Sequence, residues 1–79
     1  MDYIKEAEKS LIVWNKALAE VEKQDSLSEA KRRELIQHKK NAMDALRHVP
    51  DKETSQFIKL RHEISSANNR MAGALNDPK

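Results

Sequence analysis

Residues 3–24, YIKEAEKSLIVWNKALAEVEKQ, set Ile4, Ala7, Leu11, Trp14, Leu18 and Val21 at intervals of 3, 4, 3, 4 and 3. A helix turns once in 3.6 residues, so alternating steps of three and four hold all six side chains on one stripe. Residues 57–75, FIKLRHEISSANNRMAGAL, repeat the rhythm at Phe57, Leu60, Ile64, Ala67, Met71 and Ala74. Two such stripes demand helices that shield them against one another.

The residues between the stripes punctuate them. Asp2 is placed to cap the first helix, and Ser26-Leu27-Ser28-Glu29 matches a capping box, in which a serine and a glutamate each satisfy an orphan N–H at a helix start. Pro50 cannot continue a helix and disfavours helical geometry at Val49, and Asp51 recaps the chain after it. Asn76, Asp77 and Pro78 close the last element, with Gly73 a weaker earlier stop. The pattern predicts helices over 3–24, 27–48 and 52–75. Connections this short force neighbours to run antiparallel, giving one all-α domain over 1–79, an up-down-up three-helix bundle. A helix-swapped or otherwise oligomeric form satisfies the same stripes.

Composition narrows the function. A 79-residue chain builds a core worth a net ~3–5 kcal/mol, so a partner subunit or bound protein would add usefully to its stability. With no cysteine there is neither disulfide nor thiolate metal site, which suits a reducing cytoplasm, the expected location. The longest apolar run, Leu11 to Trp14, falls far short of the ~20 residues of a membrane span, and Asp2, Glu6 and Glu8 do not suit a signal peptide. No membrane association is expected. Net charge is only +2, but residues 26–49 hold six Lys/Arg against three Asp/Glu. The basic character sits in the middle helix.

That helix lacks a clean stripe. Ala30, Leu35, Ile36, Ala42, Met43, Ala45, Leu46 and Val49 are interrupted by His38-Lys39-Lys40-Asn41, and the three-four rhythm turns His38 or Lys39 inward. The expectation is that His38 hydrogen-bonds at the core edge while Lys39 lays its methylenes over the seam. A helix packed less firmly than its neighbours is also one that can meet a partner. In the first and third helices Ile12, Val13 and Ile58 fall off the stripe and should point outward. Ile12 and Val13, a turn from Lys9 and Lys16, form an apolar centre with a charged rim, a candidate protein-binding surface. Ser65, Ser66, Asn68 and Asn69 are poor helix formers, and serve either close helix packing or a polar recognition surface beside Arg70.

Reactive chemistry finds little support. His38, His48 and His62 are never three or four apart, so no two share a helical face as zinc ligands would, and no Glu is followed three places on by His as a di-iron bundle requires. Asp44 with His48, and His62 with Ser66, have the spacing of ordinary helical pairs and no accompanying nucleophile or glycine-rich loop. One glycine cannot build a phosphate-cradling loop. No enzyme, metal or cofactor is expected. Arg33, Lys40 and Arg47 recur every seven residues with Arg32 and Lys39 beside them, a stripe that would follow a nucleic-acid backbone were it not partly neutralised by Glu29 and Asp44.

Tyr3-Ile4-Lys5-Glu6-Ala7-Glu8-Lys9 resembles the opening of small helical proteins from phages and mobile elements of Gram-positive bacteria, which implies such an origin and assigns no functional residue. The expected function is a non-enzymatic protein-protein interaction module, a small helical regulator, adaptor or inhibitor whose partner is another protein or a second copy. Nucleic-acid backbone binding by the stripe of the middle helix is the alternative.

Overall fold

The computed structural model describes residues 2–23 and 27–75, which form α1 (Tyr3–Lys23), α2 (Glu29–Arg47) and α3 (Ser55–Leu75). Asp2 caps α1 as expected, its Oδ1 accepting from the N–H groups of Ile4 and Lys5 at 3.1 and 3.3 Å. Three other boundaries move. The cap of α2 is Ser28, extended at φ −77° and ψ 159°, whose hydroxyl accepts from the Lys31 N–H, so the helix starts at Glu29 and not at Leu27. Starting there leaves Leu27 in the incoming chain, where it packs on the core. Ser26 lies outside the described residues.

Helix α2 ends at Arg47, one residue before the expected boundary, with His48 as its C-cap. Val49 and Pro50 follow, and the buried Val49 anchors the turn. Asp51 does not open α3. Its carboxylate takes only the N–H of Glu53, and the cap is Thr54, whose Oγ1 accepts from the Phe57 N–H at 3.2 Å. The helix therefore begins at Ser55 and not at Lys52, and the cap fixes Phe57 three residues in, at the start of the seam.

Contacts between helix ends settle the topology. Tyr3 stacks on His48, with ring centroids 5.3 Å apart, and Lys31 reaches Glu20 at 2.9 Å, so α1 and α2 are antiparallel. Arg70 reaches back to Glu22 and Asn15, so α3 runs parallel to α1. The result is an up-down-up three-helix bundle of 41 × 19 × 15 Å, with α3 folded onto its own chain.

Both seams are buried from Ala7 to Val21 and from Phe57 to Met71, with Ile4 and Ala74 half-covered at the ends. Ala17 is buried as well, because each helix of a three-helix bundle faces two neighbours and hides a wider arc than a two-helix stripe. In α2 the buried residues are Leu35 and Ala42, and Val49 continues the seven-residue interval into the turn. His38 and Lys39 flank that line and are half-buried, His38 facing Glu34 at 3.3 Å. Both take the core-edge positions expected of them. Helix α2 packs more extensively on α1 than on α3, which leaves the α2–α3 side the most open.

A basic-rimmed apolar groove between α2 and α3

The rotation of α2 follows from its buried line. With Leu35, Ala42 and Val49 inward, a step of 100° per residue puts Arg32, Lys39 and Leu46 on the adjoining row toward α3. Ile36 and Met43 form the next row outward, and Arg33, Lys40 and Arg47 the row beyond. Ile36 is 47% exposed and Met43 43%, so both stand in solvent near the middle of the basic stripe. What the sequence presents as a band of cations is an apolar row with cations along both edges.

Across from this row α3 completes a groove of about 290 Å³. Met43, Leu46, Phe57 and Ile64 supply its apolar surface, and Ser65 and Asn68 lie toward one end. Arg47, Lys52 and Arg61 line it as well, and no carboxylate does. None of these three cations makes an ion pair among the described residues, whereas most of the ion-paired carboxylates are engaged elsewhere. Glu20 and Glu34 hold Lys31, whose hydrogen bonds to both carboxylates raise the pKa of its ammonium. Hydrogen bonds from Lys31 and then His38 lower the Glu34 carboxyl. Arg70 grips Glu22 through two nitrogens at 2.7 and 3.1 Å, which lowers the Glu22 pKa and raises its own.

The expected site residues are thereby sorted. Of the five cations of the expected stripe only Arg47 lines the groove; Arg32 and Lys39 share the helical row of Leu46 but lie outside the lining, as do Lys40 and Arg33, the last within 3.5 Å of Glu29. Asp44 turns to the opposite side, lining a polar hollow between α1 and α2 with Tyr3, Glu6 and Asn41. Arg70 is no companion of Ser65 and Asn68, since Glu22 and Asn15 tie it to α1. The polar run itself divides, with Ser65 and Asn68 at the groove and the exposed Ser66 and Asn69 outside its lining.

On α1, Ile12 is 68% exposed and Val13 42%, both outward as expected. The structure does not gather them with Lys9 and Lys16 into one concavity. Ile12 lines a groove of about 380 Å³ against α3 with Glu8, Gln56, Lys59 and Glu63, charges of both signs, and Val13 lies outside that lining.

His48 and Asp44 do not form an acid-base pair through their side chains. A carbonyl can only accept, so the His48 Nδ1–H donates to the Asp44 backbone oxygen at 2.8 Å, and the ring lies against Tyr3. Among the described residues no helix is long and apolar enough to cross a membrane.

Sequence reasoning missed Met43, Leu46, Lys52, Phe57, Arg61 and Ile64 as members of one surface. Their only sequence signal is that Ile36 and Met43 repeat at seven residues off the buried line. No family model, curated protein or solved structure matches this chain.

Proposed function

We propose that this chain is a non-enzymatic protein-protein interaction module, a small helical adaptor, regulator or inhibitor that engages its partner through the α2–α3 groove. One observation carries the reading: Ile36 and Met43 stand exposed beside an apolar groove and between rows of cations, on the face where the bundle is least closed. Aliphatic residues in water contribute little to the fold, and an apolar strip with a polar rim is the anatomy of a protein interface. A phosphate backbone is held by cations, and an exposed apolar row among them matches the core of a protein interface. Protein is therefore favoured over nucleic acid. The Ile12 face of α1 ranks below the groove because its lining mixes Glu8 and Glu63 with Lys59 and selects no partner charge.

Site-specific photocrosslinking tests the proposal. A photoreactive side chain at Met43 should yield protein adducts in the organism that carries the gene, resistant to nuclease and lost on Ile36→Lys. The same group at Ile12 should not. Adducts cleared by nuclease would replace the reading with nucleic-acid binding, and protein adducts formed from Ile12 alone would move the interface to α1.

A further inference from the structure

We infer that the occupant of the α2–α3 groove is an amphipathic helix of about three turns from another protein, its apolar face bordered by carboxylates. The inference rests on the reading of the groove as a protein interface and adds the chemistry of what fills it.

The shape argues for a helix. Both walls are antiparallel helices whose backbone groups are engaged internally, so no open strand edge is offered to an extended peptide. The furrow between two such rods accepts a third through leucine-like anchors three and four residues apart. From Phe57 to Asn68 the α3 wall spans twelve residues, which at 1.5 Å each is about 18 Å, or three helical turns. Ser65 and Asn68 are short polar side chains, which let a partner backbone come close and give its ends hydrogen-bonding groups.

Charge argues for acid on the flanks. Arg47, Lys52 and Arg61 line the groove and Lys40 continues the row of Arg47 beyond it, while Glu20, Glu22, Glu29 and Glu34 are held by Lys31, Arg70, Arg33 and His38 outside the groove lining. Three cations around one apolar trough repel one another, and a partner carrying carboxylates relieves that repulsion where a basic partner increases it. Like-charge rejection also gives selectivity, since a Lys-flanked helix meets an opposing field before its apolar face is seated.

The intact chain is titrated with three synthetic helix-stabilised peptides: leucines at three-four spacing flanked by Glu, the same with Lys for Glu, and the Glu peptide with Ser for Leu. The Glu-Leu peptide should bind at least ~10-fold tighter than either control, and its affinity should fall with added salt. The double variant Arg47→Glu with Arg61→Glu, checked for unchanged helicity and melting, should reverse the preference toward the Lys peptide. Equal affinities for the Glu and Lys peptides, or a preference unmoved by the charge swap, overturns the inference. So does binding of duplex DNA or anionic lipid vesicles that competes at Met43 while no peptide does. Protein crosslinks at Met43 without a charge preference would sink the acidic-helix assignment and leave the interface standing, whereas absence of such crosslinks removes the interface itself.

Discussion

Replacing Ile36 and Met43 together by Gln should leave the bundle folded, although Leu35 next door tolerates no such change. Burying an Ile or Met side chain completely stabilises by about 1.5–3 kcal/mol. Ile36 is 47% exposed and Met43 43%, so only about half of that is realised at each, near 1 kcal/mol, and area-based figures of this kind are upper bounds. Gln is a better helix former than β-branched Ile by a few tenths of a kcal/mol, which offsets part of the loss. The double variant should therefore cost about 1.5–2 kcal/mol at most. Leu35 is fully buried, and Leu35→Ala should cost about 2–5 kcal/mol, comparable to the whole stability of a domain this size. In thermal melts followed by helical circular dichroism, each kcal/mol moves the midpoint of such a domain by about 4–8 °C. The Gln pair should shift it by roughly 15 °C or less with an unchanged urea m-value, and Leu35→Ala should abolish or nearly abolish the cooperative transition. A loss of more than ~3 kcal/mol from the Gln pair, or a reduced m-value, would show that this row belongs to the core. The case for an interface would then collapse, because it depends on those side chains being dispensable to folding.

Other parts of the bundle give independent checks. The buried Trp14 indole N–H has no acceptor among the described residues, an orphan costing about 1–3 kcal/mol, so Trp14→Phe should lose far less in urea melts than the ~3–5 kcal/mol of Trp14→Ala. Equal losses would mean that the donor is satisfied. A Cβ at Gly73 meets nothing within 4 Å and the backbone there is helical, so Gly73→Ala should raise stability by about 0.5–1 kcal/mol and the melting midpoint with it. An unchanged or lower midpoint would contradict that geometry. Because Arg70 holds the folded Glu22 carboxyl below its ordinary value, this pair contributes fully above the unfolded carboxyl pKa and its contribution is lost as pH falls through the folded one. Glu22→Gln should thus flatten the acid side of the stability-pH profile and cost about 0.2–1 kcal/mol near neutrality, an effect that urea melts from about pH 3 to 7 would miss only if the ion pair does not form in solution.

How much of this was legible in the chain depends on how local each cause is. The seams of α1 and α3 are strings of large apolar residues at helical spacing, so their buried faces and the bundle could be read directly. The caps were half legible. Ser26 and Ser28 are equally good candidates by type, as are Asp51 and Thr54, and the choice is made by where Leu27 and Phe57 must reach the core. Arg70 was out of reach altogether, because its partners Glu22 and Asn15 lie 48 and 55 residues away in sequence.

The groove was hidden for a different reason. A band of cations on a helix has no defined meaning until the helix's rotation about its own axis is known, and in α2 the residues that set it are weak. Leu35 and Ala42 are separated by His38-Lys39-Lys40-Asn41, so periodicity alone leaves open whether Ile36 and Met43 or their neighbours turn inward. Strong seams on α1 and α3 decide the matter from outside, since the space left between them takes Leu35, Ala42 and Val49 and turns the Ile36 row to solvent. Once that rotation is set, the cations cease to be one stripe and become the two banks of an apolar strip, and Lys52 joins them from the connection and Arg61 from the α3 wall. The weakness of the α2 seam and the presence of the groove thus share a cause. A helix that spends Ile36 and Met43 on its outer face has fewer large residues left for its inner one, and packs less closely on α3 in consequence.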